Sequence, residues 1–187
     1  NTYGGGFKAN VNGNITLNVT NGYYDWLTGG GNLCSCKDIT LNIRGDKAGV
    51  DPAPSTAGYP AEVKQPVISW CLRGGSAEGE SEDVVINMWS GSVCRNTHTA
   101  GQSSTVASAT FNMYGGITRN IFGGGDWGNV TGNSQVNLYG GQVNTVYGGS
   151  DRPGSRVGGS CVVVDDEHMD PLPDGSGEKN IAPLNIR

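Results

Sequence analysis

The sequence predicts an all-β fold, a single right-handed parallel β-helix that extends over residues 1–187. Two observations predict it: a short strand-like segment recurs about every 25 residues, and glycine occupies 32 of the 187 positions. A coil of such a solenoid needs few apolar side chains, because the coils above and below complete its core. The hydrophobic content of 35% is therefore sufficient, and glycine suits the sharp corners.

The repeat begins with a five-residue strand that carries asparagine at its fourth position. The aligned segments are ITLNV 15–19, ITLNI 39–43, VVINM 84–88, ATFNM 109–113, SQVNL 134–138, SCVVV 160–164 (with Val163 at the asparagine position) and APLNI 182–186. Alternation with a period of two places Leu17, Phe111 and Val136 in one core column. Phe111 and Val136 are therefore predicted to be stacked neighbours, whereas Asn18 and its equivalents face outward.

Two stretches interrupt the repeat. The first, GDKAGVDPAPSTAGYPAEVKQP at about residues 45–66, contains four prolines and is predicted to be an inserted loop. The second is an irregular segment at about 165–181. Elsewhere a glycine turn leads to a second short strand, such as NTVY at 144–147, and three short strands with three turns make one coil.

Other repeat architectures fit the sequence less well. A propeller blade needs about 40 residues. A leucine-rich repeat requires a leucine signature that this sequence lacks, and a β-sandwich carries no repeated sequence.

Composition excludes some classes of partner. The net charge is −5, from 12 basic and 17 acidic residues, and without a basic cluster the chain lacks the electrostatic footprint of a nucleic-acid-binding protein. No apolar run approaches the roughly 18 residues of a membrane span. The chain begins with Asn1, which suggests a processed or excised segment. Five cysteines and three glycosylation sequons, at Asn14, Asn18 and Asn129, favour an extracellular location.

The unit VNLYGGQVNTVYGGSD, residues 136–151, resembles the glycine-rich repeats of large bacterial surface proteins, the autotransporter-like or adhesin-like right-handed β-helices. The resemblance covers about residues 1–44 and 66–164. It implies a stalk, adhesin or fibre at the cell surface, with host or cell-surface glycans as candidate partners. Such repeats usually lack cysteine, and the Pro-rich insertion is not part of their unit.

The two ends of the chain look like complementary half-units. Residues 1–14 match the second half of a unit, and residues 183–187 match its first strand. Three explanations stay open: a piece of a longer array that stacks on neighbouring repeats, a head-to-tail homopolymer, or a monomer with loops folded over its ends. In the homopolymer, Leu184 and Ile186 of one chain complete the coil begun by Thr2 and Tyr3 of the next.

The acidic residues do not predict an active site. The cluster DDEHMD at 165–170 comes from a single coil, whereas β-helix enzymes use carboxylates from adjacent coils, so no catalytic residue is assigned. The calcium candidates are Asp126, Asp151, Asp165 and Asp166. Because GGGDWG does not meet the calcium-binding nonapeptide, Asp126 and Asp151 are better interpreted as turn-capping residues, and no cofactor other than calcium is considered. His98 is interpreted as a loop residue.

The cysteine positions predict one disulfide. Counted from the glycine corners, Cys71 is level with Asn120 and Cys94 with Arg119, which places the pair one residue apart in adjacent coils. Cys34 and Cys36 cannot bond each other without a strained small ring. Their pairing and that of Cys161 stay open.

The alternative function is a glycan-binding or glycan-cleaving β-helix protein, similar to polysaccharide lyases or hydrolases. Aromatic side chains for sugar stacking are Tyr23, Tyr24, Trp26, Trp70, Trp89 and Trp127. An ice-binding face is disfavoured because Val85, Gln135 and Cys161 interrupt the outward threonine column. The asparagine column is predicted to form a stacked amide ladder. A non-enzymatic structural role is therefore the leading hypothesis.

Overall fold

The computed structural model describes residues 1–45, 65–164 and 185–186. Nearly all of the predicted inserted loop and the whole irregular segment at 165–181 lie outside these residues. The described chain is all-β, without a helix, and its parallel strands stack as a solenoid of about six turns, roughly 25 residues apart. The prediction of a parallel β-solenoid is confirmed. No helix in the described ranges is long and apolar enough to cross a bilayer.

The strands in chain order are β1 (Thr2–Tyr3), β2 (Ile15–Val19), β3 (Tyr23–Thr28), β4 (Ile39–Ile43), β5 (Val67–Arg73), β6 (Glu78–Met88), β7 (Ser92–His98), β8 (Ser103–Met113), β9 (Ile117–Phe122), β10 (Asn129–Val130), β11 (Ser134–Leu138), β12 (Gln142–Tyr147), β13 (Cys161–Val164) and β14 (Asn185–Ile186). Sheet A has the order β1-β3-β5-β7-β9-β12-β14. Sheet B has the order β13-β11-β8-β6-β4-β2, with β10 paired to the first half of β8.

The core consists of columns of apolar side chains between the sheets. In sheet B, Val136 lies opposite Phe111 and Phe111 opposite Ile86. All three are fully buried, so the predicted stacking of Phe111 on Val136 is confirmed. In sheet A, Leu27 and Leu72 occupy an equivalent column. Each coil buries only a few such residues, and its neighbours cover the rest.

The corner that leads from sheet B to sheet A is tight in four coils. Three residues separate the strands at each of these corners, and the third is a glycine with positive φ: Gly22 (106°), Gly91 (98°), Gly116 (89°) and Gly141 (95°). Glycine adopts this conformation without the steric cost that a Cβ brings. The same corner lies between β4 and β5 and between β13 and β14. Both interruptions of the repeat therefore occur at one corner of the solenoid.

The alignment of the sixth segment is wrong by one residue. Val163 lies opposite Val136 and Val164 opposite Asn137, so Val164, not Val163, occupies the asparagine position. The preceding turn is the reason. Asp151 follows Asp126 by 25 residues, but Val157 pairs with Val130, 27 residues earlier. A one-residue slip reverses which side chains face the core.

The C-terminal segment also differs from the prediction. Asn185 and Ile186 pair with Gln142 and Val143 in sheet A, so the alignment of residues 182–186 with the strands of sheet B is wrong. Thr2 and Tyr3 form β1 and pair with Leu27 and Thr28 of the same chain. Leu184 lies outside the described residues. End-to-end assembly itself stays a prediction.

Candidate functional site

The candidate site is built on the last residues of the sheet A strands. Arg73, His98, Phe122 and Tyr147 align across β5, β7, β9 and β12. Their predecessors, such as Leu72, point into the core, so this column points to the outer side of the sheet. Arg73 and His98 are nevertheless only 6% and 1% exposed, because side chains from the following turns cover them.

The covering residues come from two glycine turns in successive coils. Asp126 follows Gly123–Gly125, and its N–H donates to the carbonyl of Gly101 one coil below. Asp151 follows Gly148 and Gly149, and its N–H donates to the carbonyl of Gly125. Arg73, His98, Asp126, Asp151 and Arg152 form what we call the corner cluster.

Both carboxylates of the corner cluster have cationic or amide donors. Arg73 Nη2 donates to Asp126 Oδ2 at 3.0 Å, and Arg152 Nε donates to Asp126 Oδ1 at 3.3 Å. Asp151 Oδ2 accepts a bond from Asn96 Nδ2 at 3.3 Å. These side chains bond across coils, so the interpretation of Asp126 and Asp151 as turn-capping residues is wrong.

His98 is a strand residue and not a loop residue as interpreted from the sequence. It ends β7, its ring stacks on Phe122 with centroids 5.2 Å apart, and its Nε2 lies 3.1 Å from Asp151 Oδ2. Burial lowers the pKa of His98, against the opposing effect of the Asp151 carboxylate. The ring Nδ1 is buried and has no hydrogen-bond partner among the described residues.

One ligand atom from each of His98, Asp126 and Asp151 lies within 4.8 Å of the other two. Two of the four calcium candidates are therefore brought together, whereas Asp165 and Asp166 lie outside the described residues. The sequence already indicates that the two aspartates stand at matching places in successive coils, whereas the position of His98 beside them was missed. The aspartates are 25 residues apart, one coil, and His98 occupies the strand end beside the preceding glycine turn.

The predicted asparagine ladder is present on the outer face of sheet B. Each Nδ2 donates to the Oδ1 of the coil before it, at 2.9, 2.9, 2.8 and 2.7 Å, along Asn18, Asn42, Asn87, Asn112 and Asn137. Gln135 Nε2 donates to Asn137 Oδ1 at 2.8 Å and closes the ladder. Four successive coil interfaces thus share one kind of contact.

Aromatic side chains also stack from coil to coil. Trp89, Tyr114 and Tyr139 stack with centroids 5.1 and 4.6 Å apart, at the corner where sheet B leads to sheet A. Burial, with a smaller effect of Tyr139, raises the pKa of Tyr114 to about 12. Trp26 and Trp70 lie 5.6 Å apart, and the guanidinium of Arg95 lies over the Trp70 ring at 3.6 Å.

The predicted disulfide is absent. All five cysteines lie in the described ranges, and none is disulfide-bonded. Cys71 lies opposite Asn96, which places Cys94 two residues away in register, at a diagonal distance of roughly 7–8 Å that a disulfide does not bridge. The count from the glycine corners missed a register shift in β7 between Val93 and Asn96. Burial raises the pKa of Cys71 to about 11.

No family model matches this sequence, and no curated protein or solved structure matches it either.

Proposed function

We propose that this chain is a structural β-solenoid of the cell exterior, a fibre subunit or stalk segment that extends by stacking further coils on its ends. The observation that carries the proposal is the core column that runs from Leu17 to Val163. Its inner members Leu41, Ile86, Phe111 and Val136 are fully buried, whereas Val163 is 46% exposed. A strand added beside β13 would bury Val163 as β13 buries Val136.

Repetition of the same contacts supports this role. The asparagine ladder joins the coils along the outer face of sheet B, and the apolar columns join them inside. In such a solenoid, stability is the sum of coil stabilities and of nearest-neighbour interfaces, so added coils lengthen the rod without a new architecture. Those properties suit a spacer or a fibre.

The junction that we propose pairs edge strands of the same sheet. In sheet B, β13 of one copy lies beside β2 of a second copy, and in sheet A, β14 lies beside β1. Ile186 and Thr2 therefore belong to neighbouring strands in two successive coils, and they do not complete a single coil together. Parallel strands with exposed backbone donors and acceptors are a ready template for this pairing. An interface of this kind joins head to tail and does not close.

The glycan-binding alternative lacks a specific supporting contact. Sugar binding by stacking needs an open aromatic face. Trp70 lies between Arg95 and Trp26, and Trp89 lies between Arg44 and Tyr114. The rings of these two side chains are therefore used within the solenoid.

Sedimentation velocity over a range of protein concentrations tests the proposal. We expect the chain to form oligomers that grow with concentration, and negative-stain images to show rods one solenoid wide. Val163→Lys places a charge in the core column at the open edge and should keep the protein monomeric. Val162→Lys, on the opposite face of the same strand, is the matched control and should still assemble. A wild-type chain that stays monomeric at all concentrations would overturn the proposal.

A further inference from the structure

Three side chains of the corner cluster are of types that commonly bind metal ions. His98, Asp126 and Asp151 come from three successive coils, and their ligand atoms converge to within 4.8 Å of one another. A tetrahedral ion with bonds of about 2.0–2.2 Å separates its ligand atoms by about 3.3–3.6 Å. The distance of 3.1 Å between His98 Nε2 and Asp151 Oδ2 is already near that value. A small movement of the Asp126 carboxylate toward these two atoms brings all three ligand atoms to such distances.

Two buried nitrogens beside these ligands lack partners. Among the described residues, His98 Nδ1 and Arg73 Nε are buried without a hydrogen bond. An imidazole that binds an ion through one nitrogen normally uses the other for an outer hydrogen bond, so Nδ1 is the atom that would form such a bond. Buried unpartnered polar atoms are costly, so each of these two nitrogens favours a partner that the described residues do not supply.

The net charge of the corner cluster depends on whether the Arg152 side chain stays in it. Arg152 is 51% exposed and reaches Asp126 at 3.3 Å and Asp151 at 3.9 Å. Arg73 is buried, pairs with Asp126 at 3.0 Å and packs its guanidinium over the Trp26 ring. An exposed arginine can withdraw into solvent at little cost, because surface ion pairs contribute at most about 1 kcal/mol. Removal of Arg152 leaves two carboxylates, one imidazole and one cation, which favours a divalent ion.

We propose that His98, Asp126 and Asp151 bind one divalent first-row transition-metal ion of the Zn²⁺ class, and that the Arg152 guanidinium occupies the place of this ion when it is absent. An imidazole nitrogen with two carboxylate oxygens suits Zn²⁺, which takes nitrogen and oxygen ligands and keeps a position for water. Ca²⁺ prefers six to eight oxygen ligands, so the histidine selects against it. The site is independent of the proposed structural function.

Cobalt titration tests the site, because Co²⁺ bound to protein nitrogen and oxygen ligands absorbs visible light. The protein is stripped with a chelator, kept reduced, and carries Cys161→Ser and His168→Gln, which remove two competing ligands far along the chain. We expect one equivalent of Co²⁺ to bind with a visible spectrum that Zn²⁺ displaces. His98→Gln and Asp151→Asn should each weaken binding at least tenfold.

Arg152→Ala separates this proposal from a purely structural cluster. If the guanidinium competes with the ion, its removal should tighten Co²⁺ binding several-fold while the chain stays folded, as checked by circular dichroism without metal. This variant decides the question even if His98→Gln does not fold. Three results would overturn the proposal: no binding by the parent protein, binding that survives both ligand substitutions, or weaker binding by Arg152→Ala. None of them bears on assembly at the β13 edge.

Discussion

The asparagine ladder and the corner cluster solve the same problem, the joining of successive coils, with opposite means. The ladder uses one residue type at one position, and each asparagine bonds the asparagine of the adjacent coil. The corner cluster uses arginine, histidine and aspartate, and the bond from Arg73 to Asp126 passes over the coil of His98. The ladder is a consequence of the repeat, and the cluster is a departure from it. In a solenoid, side chains that do not follow the repeat are the ones to consider first as a specific binding site.

The largest expected effect concerns the core that both regions cover. Phe111→Ala leaves a cavity in a fully buried column and should lower the free energy of unfolding by about 3–5 kcal/mol. Chemical denaturation measures the loss. Thr110→Ala, on the outer face of the same strand, should change it by less than about 0.5 kcal/mol. Equal effects from the two substitutions would mean that β8 does not direct Phe111 into the core.

A break in the corner cluster should cost nearly as much. Arg73→Met leaves the Asp126 carboxylate, which is mostly buried, without its main partner, and should lower the free energy of unfolding by about 3 kcal/mol. Arg152→Met removes the half-exposed partner of the same carboxylate and should cost less than about 1 kcal/mol. Urea denaturation in the presence of a chelator compares the two. A larger loss from Arg152→Met would mean that Arg152, and not Arg73, is the main partner of Asp126.

A break in the ladder should cost less and should depend on position. Asn87→Ala removes bonds to Asn42 and to Asn112, and at roughly 1 kcal/mol for each bond it should cost about 2 kcal/mol. Asn18→Ala removes the single bond at the ladder end and should cost about half as much. Identical losses at Asn18 and Asn87 would indicate that the ladder bonds contribute nothing individually.

The smallest effect is an alkaline one. The pKa of Tyr114 is raised to about 12, so the folded chain keeps this phenol protonated where the unfolded chain, at about 10, loses the proton. The stabilisation from this group is complete below pH 10 and is lost as the pH rises through 12. Tyr114→Phe should therefore unfold at a higher pH than the wild type, as followed by circular dichroism. An unchanged alkaline midpoint would contradict the burial of this hydroxyl.

The repeat let the sequence predict the fold and the ladder, because both follow from residues at a constant interval. Register errors arose where that interval changes. The long turn before β13 shifted Val163 by one position, and the shift in β7 separated Cys94 from Cys71. The corner cluster was not predicted for a related reason. Alignment of the coils compares Asp126 with Asp151 and Arg73 with His98, but it does not compare a turn residue with a strand-end residue, so the contacts between these two sets were not predicted.

Both interruptions of the repeat fall in sequence between a strand of sheet B and a strand of sheet A, after β4 and after β13. The strands on either side hold the two ends of each interruption at a fixed separation. The entropic cost of closing such a segment therefore rises only with the logarithm of its length, by about 0.6 kcal/mol for each doubling. The three-residue corners that end at Gly22, Gly91, Gly116 and Gly141 likewise lead from sheet B to sheet A. They are accordingly four further places where a foreign peptide or domain can be grafted for display along a rigid rod.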